Sequence, residues 1–251
     1  MEGVHVTVNL NLGDTRAIIA YAKGRGVLRN QLAYVLATGL HETGHSMKAI
    51  KETVMPWHKD KNPSDAEVIR RLDRAFAKGQ LSWVKSPYWR PDKDGKAWFG
   101  RGNPQITHKR NYVKLAKRIG IDIAADPDRV LETDVSVKIA VLGAMEGLFT
   151  GKKIPDYITL SKSDFFNARA VINGDKHKKD DGEKMGDRIA GYARAYDDAL
   201  KAEGYGEDDH RPPVPPDVEP TPKKPVSPVT GQKTGGLGAI IAAILKLFGR
   251  K

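Results

Sequence analysis

The sequence predicts a mainly α-helical domain with long loops, then a proline-rich linker and a short C-terminal amphipathic helix. Three observations carry this. Apolar side chains recur at helical spacing in six segments: Ala17–Ala22, Leu28–Leu40, Val68–Phe76, Tyr112–Ile119, Val135–Phe149 and Ile189–Leu200. Runs of alternating β-branched residues are scarce after Val8, which leaves little material for a half-buried sheet. Residues 211–229 hold eight prolines, a composition that packs no core and forms a semi-stiff extended spacer. The expected division is a globular domain over 1–208, a linker over 209–233 and a basic tail over 234–251.

Taken in order, the elements carry local signals. The second segment is nearly all apolar from Tyr34 to Leu40, and Gly44 just beyond it is a poor helix former. Ser64 followed by Glu67 reads as a capping box that opens the third helix. Gly120 stands where a helix C-cap glycine belongs, closing the fourth. In the tail, Leu237, Ile240, Ile241, Ile244, Leu245 and Phe248 form one apolar stripe, with Lys246, Arg250 and Lys251 as basic residues near it. No acidic residue follows Pro220. A helix of about 12 residues is roughly 18 Å long, short of the roughly 30 Å hydrocarbon core. Such a helix lies in a membrane interface and does not cross it. The alternative is a strap docked on the domain or on another subunit.

A chain of 251 residues with 39% hydrophobic content holds one domain plus appendages. Its net charge of +11 favours polyanionic partners without choosing among nucleic acid, anionic lipid and acidic wall polymer. Cysteine is absent, which excludes a disulfide framework and thiolate metal sites. The first residues show no basic stretch followed by an apolar run, so no signal peptide is expected. No stretch of about 18 apolar residues is present.

Two motifs bear on chemistry. His41-Glu42-Thr43-Gly44-His45 fits H-E-x-x-H, which on a helix sets two imidazoles on one face beside a glutamate. A zinc peptidase is therefore one reading. Gly44 weakens the helix that geometry needs, and no clear third ligand follows, although Asp65 or Glu67 are available. The second motif is WFGRGNPQITHKRNY, residues 98–112. Glycines flank Arg101, and Asn103, Gln105, Thr107 and Asn111 donate and accept hydrogen bonds. Trp98, Phe99 and Tyr112 add flat apolar faces. Planar surfaces with amides suit a carbohydrate. The basic run His108–Arg110 reads as a solvated helix face, and no nucleic-acid partner is expected.

This block resembles the FGRG-x-x-QLT-x-x-x-NY signature of family 19 chitinase-like glycoside hydrolases, which include phage endolysins. Two further blocks are similar in the same order: LATGLHETGHSMKAIKET over 36–53 and ARAVING over 168–174. The resemblance implies a lysozyme-like fold with its cleft between a larger and a smaller lobe. It implies Glu42 as general acid and Glu52 as base or charge stabiliser. It implies Thr53, Arg101, Gln105, Asn111, Tyr112, Arg169 and Asn173 as residues that position sugar or support the carboxylates. Asp175 departs from the family, where a second glycine is usual. The apolar stretch before Glu42 is expected to raise its pKa, and Lys48, Lys51 and His58 are expected to keep Glu52 ionised. No cofactor or metal is implied.

The function so implied is hydrolysis of β-1,4 bonds in bacterial peptidoglycan by a monomeric phage endolysin, with chitin as the alternative substrate. The tail then suggests anionic membrane or lipopolysaccharide as a second partner. The expected route is synthesis in the host cytoplasm and release to the periplasmic wall through a partner pore.

Overall fold

The computed structural model describes residues 6–53 and 63–206. The predicted linker and tail, and His58, lie outside them. Six α-helices form where the periodicity places them: α1 (Thr15–Lys23), α2 (Arg29–Glu42), α3 (Asp65–Ala77), α4 (Lys109–Ile119), α5 (Thr133–Met145) and α6 (Met185–Ala202). The domain is mainly helical and lysozyme-like in architecture.

Helix α2 is the axis of the largest core. Every residue from Gln31 to Leu40 is buried, so it has no polar stripe to give to water. It packs along α6, which contributes Ile189 and Ala193, and α1 and α5 close the same core through Ile18, Val137 and Val141. A second cluster gathers Val68, Leu72 and Ala75 of α3 with Leu81, Trp89 and Phe99. A third joins Trp98, Ile106, Tyr112 and Leu115 to Val135 and Ile139 of α5. Trp98 and Phe99, adjacent in sequence, enter different clusters and so tie the two together.

Two local readings need correction. Ser64 caps α3 by accepting from the Glu67 N–H, but the Glu67 carboxylate does not return the bond. It pairs with Arg70 and Arg71 instead, each contact 2.7 Å. Helix α5 stops at Met145 although the apolar spacing runs on to Phe149, because the chain turns through Gly147 at φ 74°. Gly120 does cap α4, in the left-handed conformation at φ 69°.

The structure also adds a small sheet with no signature in the sequence. Strands β1 (Ile50–Lys51), β2 (Arg101–Gly102) and β3 (Gln105–Ile106) form one antiparallel sheet in that order. Ile50 faces Gly102 and Lys51 faces Arg101. A second antiparallel pair, β4 (Lys179–Asp180) and β5 (Glu183–Lys184), precedes α6. Strands of two residues are too short to show alternation. The first sheet nevertheless matters most for function, because it fastens the segment after α2 to the glycine–arginine block.

Candidate active site

Helix α2 carries Glu42 out of the core as its last residue. Thr43 ends the helix: its hydroxyl donates to the Gly39 carbonyl and accepts from the Met47 N–H. Gly44 and His45 follow at φ 56° and 65°, so the chain has left the helix before the second histidine. The H-E-x-x-H segment thus lacks the continuous helix that sets two imidazoles on one face. His45 Nε2 instead lies 3.2 Å from the Tyr192 hydroxyl. The zinc-peptidase reading loses its geometric basis.

Glu42 is 1% exposed. Its Oε1 accepts from Arg169 at 2.9 Å, and Arg169 is held by Asp175 at 2.7 and 3.3 Å. All three side chains are buried. Burial raises the Glu42 pKa, and the Arg169 charge opposes that rise without cancelling it. One guanidinium serves two carboxylates, so the trio bears one excess negative charge when both are ionised. A proton on Glu42 relieves this. Glu42 receives a single bond from the arginine while Asp175 receives two. Asp175, expected to leave that edge of the site less secure, is the residue that anchors Arg169.

Glu52 follows β1 directly and is also 1% exposed. Its backbone N–H donates to the Gly100 carbonyl at 2.6 Å and continues the β1–β2 ladder. In return the Gly100 N–H donates to Glu52 Oε2 at 2.7 Å. The Tyr88 hydroxyl donates to Oε1 at 2.6 Å. The expected basic surroundings are not what holds this group. Lys51 bonds Asp65 and Asp128 at 2.7 and 2.8 Å, because neighbouring strand residues face opposite ways. Burial raises the Glu52 pKa, with Gly100, Tyr88 and Arg101 acting against it.

The remaining expected residues fall into two groups. Arg101 and Tyr112 are structural. Arg101 is 1% exposed and bonds Asp65, Asp128 and the Ala97 carbonyl at 2.7, 2.6 and 2.9 Å. Its guanidinium stacks on the Phe99 ring, 3.7 Å from the centroid. Tyr112 is fully buried and donates to the Phe99 carbonyl at 3.0 Å. These two brace the glycine–arginine block from beneath and do not present polar atoms to a ligand. Asn111 sits in α4 and donates to the Thr107 carbonyl at 2.6 Å.

Thr53, Gln105 and Asn173 form the second group. Each is buried with an unpartnered polar atom: Thr53 Oγ1, Gln105 Oε1 and Asn173 Nδ2. Thr53 is held at φ 71°, a region that strains a β-branched residue. Unsatisfied buried groups cost about 1–3 kcal/mol each, so each of these atoms calls for an explanation. Thr107 and Asn103, named above in the 98–112 block, have the same property, as does Thr38, which escaped the sequence reading. No sequence signal places the Tyr88 hydroxyl on Glu52. Trp89 does pack, fully buried with its indole N–H on Asp73, whereas Trp83 is 47% exposed.

A cavity of about 440 Å³ opens beside β1, lined by Asp14, Lys48, Ala49, Lys51, Asp128, Leu131 and Thr133. It touches neither glutamate. Residues 74–151 match the family model for class I chitinases, glycoside hydrolase family 19. The match takes in Tyr88, Gly100 and the whole 98–112 block, and stops short of Glu42, Glu52 and Arg169.

Proposed function

From the premise that residues 74–151 are those of a family 19 chitinase-like glycosidase, we propose that the protein is a phage-type endolysin cleaving β-1,4 bonds of bacterial peptidoglycan. One observation carries the chemistry. Two glutamates, equally buried and both pushed upward in pKa, stand at the end of α2 and directly after β1. A glycosidase needs one carboxyl that gives a proton and one that activates water or stabilises the oxocarbenium ion.

Glu42 is the acid. It protonates the bridging oxygen, and the charge it acquires is then met by Arg169 at 2.9 Å. Glu52 is the base or charge stabiliser, its ionised form supported by the Tyr88 hydroxyl and the Gly100 N–H. Thr53 and Gln105 offer unpartnered oxygens to water or sugar, and Asn173 an unpartnered N–H. Mass spectrometry of fragments released from purified peptidoglycan tests the reading. New reducing ends support it and separate muramidase from glucosaminidase; freed stem peptides would overturn it.

Chitin is the second reading, favoured by the description of the matching family. Turnover of chitin oligomers in excess of purified walls decides for it. The net charge of +11 supports the anionic wall over the neutral polymer.

The tail completes the proposal. The stripe from Leu237 to Phe248, flanked by Lys246, Arg250 and Lys251, adsorbs to anionic lipid or lipopolysaccharide at the end of its proline spacer. The protein acts as a monomer, made in the host cytoplasm and released to the periplasmic wall through a partner pore. Deleting residues 231–251 lowers binding to anionic vesicles while hydrolysis of isolated peptidoglycan is unchanged. Equal vesicle binding after truncation would refute the tail assignment.

A further inference from the structure

The cavity of about 440 Å³ beside β1 has no assigned role. Its size falls within the roughly 300–1,000 Å³ usual for small-ligand sites. The residue before α1, the segment entering β1 and the turn leading into α5 wall it. Of its four charged groups, two are already matched. Lys51 bonds Asp65 and Asp128, and Arg101 bonds the same two carboxylates, so these four charges close a neutral ring. All four carboxylate oxygens of that ring have a partner.

The other two, Lys48 and Asp14, are not. Lys48 is exposed, and its ammonium has no ion-pair partner among the described residues. Asp14 accepts from the Thr133 hydroxyl at 3.1 Å and has no cationic partner among those residues. The two do not pair with each other, although their segments are fastened together. The Asp14 N–H donates to the Met47 carbonyl at 2.8 Å. Gly13 lies so close to the same segment that a methyl there would stand 2.5 Å from the Ser46 carbonyl oxygen. The fold thus brings one open carboxylate and one open ammonium to a single cavity whose remaining charges cancel.

We infer that this cavity binds the zwitterionic end of a peptidoglycan stem peptide, where one carbon carries a free ammonium and a carboxylate. This rests on the glycosidase reading above and deepens it. Lys48 takes the carboxylate and Asp14 the ammonium. A purely anionic ligand would face the Asp14 charge, and a purely cationic one the Lys48 charge. A chitin strand offers neither group. The site lies within reach of a glycan seated at Glu52. Lys51 and Glu52 are consecutive, about 3.8 Å apart at Cα, and their side chains leave the chain on opposite faces. Strand β1 is an edge of its sheet. A stem peptide of about four residues spans up to roughly 13 Å, enough to pass over that edge.

Calorimetry on the full chain tests this, with Glu42→Gln present throughout to prevent turnover. The probes are the disaccharide-tetrapeptide of a diaminopimelate-containing wall, the same molecule with its free amine acetylated, and free diaminopimelic acid. The unmodified disaccharide-tetrapeptide binds about tenfold more tightly than the acetylated one. Asp14→Asn keeps the bond from Thr133 and removes the charge, so it erases that difference. Lys48→Gln, at an exposed position, lowers the affinity for both forms about tenfold. Thermal melts accompany both variants; if the asparagine variant does not fold, the glutamine variant gives the answer. A preference for the free amine that survives Asp14→Asn overturns the inference, as does unchanged affinity in Lys48→Gln. Binding of free diaminopimelic acid without binding of the disaccharide-tetrapeptide would assign the cavity to a free amino acid and overturn it too. The outcomes separate from those of the proposed activity. A free-amine preference that depends on Asp14, in a protein whose unsubstituted form hydrolyses no glycan, would remove that activity and leave this site standing.

Discussion

The two glutamates are buried to the same 1%, yet their partners differ in kind. Glu42 meets a full positive charge, Arg169, itself shared with Asp175. Glu52 meets only neutral donors directly, a phenol and a backbone N–H, with the Arg101 charge acting from farther off. Burial pushes both pKa values up, so depth alone does not sort them into acid and base. The partners do. A charge-sharing trio buffers the appearance of negative charge after proton donation. Fixed dipoles hold one ionised geometry and keep an oxygen aimed.

Breaking either half should have the largest effect. Glu42→Gln and Glu52→Gln each lower kcat by about 10²–10⁴, the range of general acid–base contributions, while thermal melts show both variants folded. The amide that replaces the Glu52 carboxylate keeps both bonds, since its oxygen accepts from the Gly100 N–H and its nitrogen donates to the Tyr88 oxygen. Unimpaired turnover by either variant would remove that residue from the chemistry.

Asp175→Asn sharpens the comparison next. Arg169 is then left to Glu42 alone, and the acid's pKa falls. An acid works only while protonated, so the alkaline limb of the pH–rate profile moves to lower pH. The rate near neutrality drops about tenfold for each pKa unit. An unmoved limb would show that Asp175 only packs. Tyr88→Phe is the smaller, opposite case. Glu52 loses a donor, its pKa rises further, and the acid limb moves to higher pH with a modest loss at the optimum.

The smallest effect concerns stability. Both glutamates have folded-state pKa values above their unfolded ones. In the window between the two values the native state binds more protons than the unfolded chain, so stability falls as pH rises through it. Chemical denaturation across that window should show the decline, and the two glutamine variants should each flatten it. A stability that climbs with pH there would mean that the partners outweigh burial.

The helical frame was legible because amphipathic and buried helices advertise themselves at a period of 3.6 residues. All six helices form within a few residues of their predicted positions. The end of α2 before Gly44 was legible for the same local reason, and with it the failure of the histidine pair to share a helix. The burden carried by Arg101 was not. Two flanking glycines suggest ligand approach, and nothing local reveals that Asp65 and Asp128, far along the chain, neutralise it underneath. The surroundings of Glu52 misled in a similar way: adjacent lysines look like its counterions until a strand turns Lys51 to the other side.

The sequence alone therefore determined which segments are helices, where the glutamates fall along the chain, and which residue types gather around them. These depend on short-range periodicity and on side-chain chemistry, both readable over a few residues. Only the tertiary structure decided the pairings: Glu42 with Arg169, 127 residues away, Glu52 with Gly100, 48 away, and Asn103 of the hairpin against Gly39 of α2. The reason is that a pairing is set by whichever distant group can enter a close-packed interior without clash, and that is a property of shape that no local pattern encodes.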